Sequence, residues 1–239
     1  MTELLLIAAC VLVTAVGVIA WGIFRSSARL FGPVRTRLSP EHASANRVAL
    51  TFDDGPCPGS TDRILDILAQ HGVRATFFVI GRHAERHPEL LRRIAEEGHA
   101  IGNHTFDHSR LGLFRTWAYW SDQIDRTQHA IESATGLRPT LFRCPMGFKT
   151  PPIMRGADRA GLAVWAWSRR GYDAGLGSRE TILRAARAMR PGDVLLLHDG
   201  RDPASSRRLG LTPDTLPDLL EMLRSAGLEP VRLDEPQPA

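Results

Sequence analysis

"RVALTFDDGP", residues 47–56, is an apolar run of strand length that ends in two adjacent aspartates and a Gly-Pro turn. A short, continuous apolar segment closed by turn residues reads as a buried strand. The two carboxylates at its end repel one another, and nothing nearby in the sequence neutralises them. An Asx-type turn before Gly55-Pro56 accounts for one aspartate but does not require two.

The pattern repeats outward from this stretch. "STDRILDILAQHG" (60–72) reads as a helix opened by Ser60 or Thr61 and closed by Gly72, and "ATFFVI" (75–80) as the next strand. "PELLRRIAEEG" (88–98) is a helix that stops at Gly98, "HAIGNH" (99–104) a short strand, and 117–135 a long amphipathic helix. "TLFRCP" (140–145), "LAVWAW" (162–167), "VLLLHD" (194–199) and "EPVRL" (229–233) are further strands, with helices at 179–189 and 213–226. Strands alternating with helices mean parallel pairing through crossovers. About seven such units predict an α/β fold closed into a distorted or incomplete (β/α) barrel. Catalytic groups of such barrels gather at the carboxyl ends of the strands. Asp53 and Asp54, His104, Arg143 and His198 all stand at such ends.

The amino terminus is a separate object. Leu4 to Phe24 is an uncharged apolar run, and as a helix it spans roughly 30 Å, the thickness of a bilayer's hydrocarbon core. A cleavable signal peptide competes with this reading, but "MTE" lacks a basic residue and the run exceeds the usual h-region. The division expected is a single transmembrane anchor at 1–24, a juxtamembrane linker at 25–45 and a catalytic domain at 46–239. Arg25, Arg29, Arg35 and Arg37 follow the apolar run, which places the body on the cytoplasmic side, with a periplasmic or extracellular body as the alternative.

The net charge of +4 narrows the partners. Residues 1–47 hold five arginines against two glutamates, a surplus of +3, so the body is nearly neutral and nucleic acid is excluded as a partner. Three cysteines, Cys10, Cys57 and Cys144, with no CxxC pair, suggest neither a disulfide framework nor a structural zinc site. "HTFDH" (104–108) spaces two histidines so that on a helical turn both imidazoles grip one metal ion. A carboxylate from another strand end would complete a set that leaves positions open for water and substrate. The remaining histidines (His42, His71, His83, His87, His99 and His129) receive no role.

"TFDDG" (51–55), "HTFDH" (104–108), "FRCPMG" (142–147) and "LLLHD" (195–199) together resemble, in order and separation, the motifs of the NodB-homology polysaccharide deacetylases, carbohydrate esterase family four. The resemblance implies a distorted (β/α) barrel, one divalent metal ion, usually Zn²⁺, and hydrolysis of an acetyl group from an amino sugar. It makes Asp54, His104 and His108 the metal ligands and Asp53 the general base, held by Arg143. His198 becomes the general acid, paired with Asp173. It assigns the backbone N–H of Met146 to the developing oxyanion and Leu195 to the acetyl methyl. The stretch "RGYDA" (170–174) departs from the family's DxxDW motif: Arg170 replaces the first acid and Ala174 the tryptophan. Arg170 adds a positive charge beside the substrate, suited to the phosphate of a lipid-linked precursor. Cys57 and Cys144 are read first as small fillers, with soft extra ligands or oxidation-sensitive neighbours as the alternatives. The expected substrate is an amino-sugar glycan or glycolipid. An O-acetyl esterase and a non-catalytic glycan- or lipid-binding relative are the alternatives on the same scaffold.

Overall fold

The structure, a computed structural model, describes residues 1–174, 177–201 and 210–236; the last three residues of the expected domain lie outside these. Seven parallel strands form one curled sheet, in the order β5 (Ala163–Val164), β4 (Leu141–Phe142), β3 (Ala100–Asn103), β2 (Thr76–Val79), β1 (Arg47–Asp53), β7 (Val194–His198) and β6 (Arg169–Arg170). An eighth, β8 (Glu229–Val231), pairs with Arg47–Ala49 of β1, leaving Thr51–Asp53 to β2. The strand "RVALTF" therefore sits at the centre of the sheet. "LAVWAW" contributes only two strand residues, and β6 arises from the atypical stretch that no apolar pattern marked.

Strand parity sorts the side chains. On β1, Val48, Leu50 and Phe52 join Phe77, Val79, Leu195 and Leu197 in the layer between sheet and helices. Ala49, Phe78, Leu141 and Val194 point the other way, into the barrel interior. The outer layer is covered by α3 (Thr61–Gln70), α4 (Gly81–Arg86), α5 (Pro88–Glu96), α6 (Trp117–Thr135), α7 (Pro151–Arg159), α8 (Arg179–Arg187) and α9 (Leu211–Ser225). Helix α7 begins at Pro151-Pro152, where proline at the first helical turn costs no hydrogen bond; the apolar pattern alone had not marked it.

Among the described residues the two end strands, β5 and β6, do not pair with each other, so the barrel is incomplete. Residues 34–38, expected within a linker, lie across this seam. Arg35 exchanges backbone hydrogen bonds with Val164 and Ala166, at 2.9 and 2.7 Å, and Leu38 N–H donates to Gly192 at 2.9 Å. The buried Asp193 carboxylate accepts from Arg37, Arg169 and Ser168 at 2.5, 3.0 and 2.6 Å. Val34 and Leu38 are buried, and α2 (Pro40–Ser44) leads directly into β1.

Helix α1 (Thr2–Phe24) contains an 18-residue window with a mean hydropathy of 2.7, none of which is buried. It is long and apolar enough to cross a membrane.

Candidate active site

Because the strands are parallel, their carboxyl ends share one rim. Register sets Asp53 beside His198 on β7 and beside Phe78 on β2, and brings Asn103, the residue before His104, beside Phe142, the residue before Arg143. One cleft at this rim is lined by Asp53, Asp54, His104, His108, Asp173 and His198, with Met146, Trp167, Arg170 and Ala174 along its wall.

Consecutive strand residues normally point to opposite faces. Asp54 escapes this by taking the left-handed conformation, φ 74°, so that both carboxylates line one cleft. Thr105 (φ 64°), His108 (φ 53°), Met146 (φ 56°) and Tyr172 (φ 58°) share that unusual state. Such residues cost of order 1–3 kcal/mol each and persist where the surroundings over-determine them. "HTFDH" is accordingly not a helical turn, as its spacing predicted. It is an irregular loop whose left-handed residues bring His104 and His108 together, with ring centroids 4.9 Å apart.

The ligand atoms of Asp54, His104 and His108 lie within 4.8 Å of one another, and all three residues are buried. Asp54 Oδ1 is 3.5 Å from Nε2 of each histidine and has no hydrogen-bond partner. Donors at 2.0–2.2 Å around a tetrahedral cation stand about 3.4 Å apart, so these separations fit a divalent ion bound between them. His104 Nδ1 is 2.8 Å from the Arg143 carbonyl, which can only accept. The proton therefore sits on Nδ1 and the Nε2 lone pair faces the triad. Burial works against the Asp54 charge, but His108, His104 and His198 outweigh it and hold the carboxyl well below the usual range.

Arg143 is fully buried, its guanidinium stacked 4.1 Å over the Phe78 ring. It donates to Asp53 Oδ1 at 2.7 Å, to Thr51 Oγ1 at 2.8 Å and to the Ala166 carbonyl at 3.0 Å. Asp53 Oδ2 is 3.6 Å from His104 Nε2. Across the cleft, Asp173 accepts from His198 Nδ1 at 2.9 Å, from the His198 backbone N–H at 2.6 Å and from the Thr212 hydroxyl at 2.6 Å. Burial alone would lower the His198 imidazole, but Asp173, with Asp54 and Asp53, raises it to about 9.

Leu195 must be corrected. It lies in the layer between sheet and helices, whereas Leu196 lines the cleft. Cleft-facing residues of β7 share the parity of His198, and a position three residues upstream has the wrong one. Arg170 is exposed at the wall, its guanidinium 5.7 Å from the Trp167 ring and 5.4 Å from the Tyr172 ring. Cys144 is buried, its thiol pushed up to about 12, and neither Cys144 nor Cys57 joins the triad.

Several supporting residues escaped the sequence reading. His83, from which no role was expected, places Nδ1 2.8 Å from the Asp54 carbonyl and so braces the left-handed turn. Asn103 is fully buried: its amide donates to Ile124 and Gln128 of α6, and its oxygen accepts from Thr105 N–H. Gln123 accepts from Asp107 N–H, so α6 holds both ends of the histidine loop. Asp199 lies beneath the site, its carboxyl pushed up to about 7 by burial and by the charges of Asp54 and Asp53, against a hydrogen bond from Thr61. Gly55 is obligatory there, because a methyl group at that position would collide with the Asp199 carboxylate. A glycine next to the aspartate pair was the one sequence signal for this packing.

The polysaccharide deacetylase family model matches residues 41–165, just over half of the chain. The chain belongs to that family. A chitooligosaccharide deacetylase of Bradyrhizobium sp. is 41% identical over 162 residues, which is 67% of this chain and 74% of that protein. The structure of the Bc1960 peptidoglycan N-acetylglucosamine deacetylase, in complex with a naphthyl N-hydroxybenzamide, superposes with a TM-score of 0.76 at 32% identity, covering 84% of this chain and 90% of that one. A family 4 carbohydrate esterase from Streptomyces lividans, in complex with acetate, gives 0.70 at 33% identity over 77% of this chain and 91% of that one.

Proposed function

We propose that the protein is a metal-dependent hydrolase that removes an N-acetyl group from an amino sugar in a glycan. The observation that carries this reading is one cleft holding the Asp54–His104–His108 triad between two charged pairs, Asp53–Arg143 and His198–Asp173. The relatives named for chitooligosaccharide and peptidoglycan deacetylation support the same reaction class.

Asp54, His104 and His108 would hold the cation. Two imidazoles and one carboxylate suit zinc, which when bound polarises a carbonyl and makes water more acidic. Asp53, oriented by the hydrogen bond from Arg143, accepts a proton from the attacking water. The new bond joins water oxygen to the acyl carbon, and the bond that breaks is the amide C–N. His198, charged through its pairing with Asp173, gives its proton to the departing amine. The Met146 backbone, on the cleft wall, is the assigned donor to the developing oxyanion. Leu196 packs against the acyl methyl. Arg170 stands where it meets a charged substituent of the substrate. Helix α1 anchors the enzyme in a membrane, and the arginines that follow it favour a cytoplasmic body.

The test is acetate release from N-acetylglucosamine oligomers by the purified full chain, before and after chelation and with zinc restored. Activity that disappears with the metal, returns with it, and is abolished in Asp53→Asn while zinc stays bound is the expected result. Full activity of a metal-free preparation would refute the reading. Matched N-acetyl and O-acetyl sugars separate amidase from esterase activity.

A further inference from the structure

The last turn of α1 is bonded to the wall of the cleft. Lys149 N–H donates to the Ile23 carbonyl at 3.2 Å, and its ammonium donates to the Arg25 carbonyl at 2.7 Å and to Gly147 at 3.2 Å. The Phe24 ring meets Phe148 edge-on, with centroids 5.0 Å apart. Residues 147–149 directly follow Met146, so the root of the apolar helix and the mouth of the cleft are one packed unit. Phe148 shares a small crevice with Gly112 and Leu113 of the 3₁₀ turn Arg110–Phe114.

That turn has an unusual surface. Arg110 lines the catalytic cleft, yet two residues of the same turn face outward: Leu111 is 66% and Phe114 87% exposed. Basic and aromatic side chains stand beside it. The Arg115 guanidinium is 5.1 Å from the Tyr119 ring, and those of Arg155 and Arg159 lie 5.5 and 5.1 Å from the Trp117 ring. An apolar tip flanked by arginines and amphipathic aromatics is the composition of a surface that sits at a bilayer's headgroup level. Its connection through Phe148 to the root of α1 gives it a membrane to meet.

We propose that the Arg110–Phe114 turn is a second membrane contact: Leu111 and Phe114 enter the headgroup region while Arg115, Arg155 and Arg159 face lipid phosphates. The proposal rests on α1 spanning the membrane. With both contacts made, the cleft opens along the bilayer surface. Amino sugars carried on a lipid or held against the membrane are then the substrates presented to it first, ahead of glycan free in solution.

The test uses spin labels on the full chain in vesicles of zwitterionic and anionic phospholipid. Cys10 and Cys57 are changed to Ala, and the buried Cys144 stays. Single cysteines replace Val13 in α1, Leu111 and Phe114 in the turn, and Leu137. Leu137 is 52% exposed and lies beyond the far end of α6, about 28 Å along that helix from the turn. Access to lipid-soluble oxygen and to a water-soluble nickel chelate is measured at each position. At Leu111 and Phe114 oxygen access is expected to exceed nickel access, as at Val13, with the order reversed at Leu137. A lipid-exposed Val13 with a Phe114 as nickel-accessible as Leu137 overturns the proposal and leaves the anchor standing. Shielding of Phe114 from both reagents overturns it in favour of a protein partner. A water-exposed Val13 removes the anchor and this inference together, without touching the hydrolase reading.

Discussion

Asp173→Asn tests the chemistry of the cleft most directly. Asp173 accepts three hydrogen bonds, two from His198 and one from Thr212, and its charge is the strongest influence raising the imidazole against burial. That imidazole stands at about 9, against an ordinary value near 6.5, a difference worth about 3 kcal/mol. Asparagine keeps the shape and removes the charge, so His198, with burial now opposed only by Asp54 and Asp53, falls back towards the ordinary value of about 6.5. At pH 7.5 the charged fraction falls from nearly all to about a tenth, and kcat/KM falls about tenfold; at pH 8.5 the loss approaches a hundredfold. The variant recovers relative to wild type below about pH 6, where both imidazoles are charged. A bound dication offsets the Asp54 charge and draws both alkaline limbs downward, leaving their order unchanged. The stability sign agrees: a raised imidazole contributes fully below its unfolded value and loses that contribution as pH rises through about 9. Only the wild type loses stability through this pairing between about pH 6.5 and 9. The assays are pH profiles of kcat/KM, imidazole NMR titration and thermal melts across that window. Identical alkaline limbs in the two proteins, or a wild-type His198 titrating near 6.5 in the metal-free protein, would refute the reasoning.

Other substitutions probe the remaining parts. Arg143→Ala strips the buried Asp53 carboxylate of its partner, which costs about 3–5 kcal/mol, and Tm is expected to fall by roughly 10 °C or more. Arg143→Lys does not rescue it, because one ammonium nitrogen cannot occupy both the position that serves Asp53 and Thr51 and the separate position that serves the Ala166 carbonyl; full rescue would count against this role. Leu195→Ala leaves a core cavity and costs about 2–5 kcal/mol with KM little changed. Leu196→Ala instead alters acyl-chain preference at smaller cost to Tm, and the opposite pattern would reverse the parity assignment. His83→Ala removes the brace on Asp54 and is expected to weaken zinc binding about 10–100-fold by competition with a chelating dye.

The glycan-facing wall is where this chain departs from its family. The Arg170 guanidinium lies 5.7 Å from the Trp167 ring and 5.4 Å from the Tyr172 ring, so the place of an expected tryptophan is bordered by a cation beside two aromatic rings. This arrangement puts a positive charge and aromatic surface together on the cleft wall. Comparing Arg170→Ala on phosphorylated and plain amino sugars reads its contribution: a larger loss on the phosphorylated one is expected.

Much of the candidate site was legible in the order of residues. Asp53, Asp54, His104, Arg143 and His198 each stand at the end of an apolar run, and parallel strands gather such ends on one rim whatever the loops between them do. Spacing could not show that "HTFDH" converges through left-handed backbone rather than a helical turn. Leu196, not Leu195, faces the cleft because of its parity with His198, which pairs with Asp53 in the register of two strands far apart in the chain. His83, Asn103, Gln123 and Asp199 carry no motif of their own, and their roles come from what packs against them. The same holds for residues 34–38, whose polar composition reads as linker and whose backbone hydrogen bonds close a barrel seam. Sequence alone determined which chemical groups this protein has and which end of the sheet they occupy, because residue type and strand length are local properties. Tertiary structure decided which face each group takes, what braces it and where the apolar helix docks, because register, burial and contact exist only between segments distant in the chain.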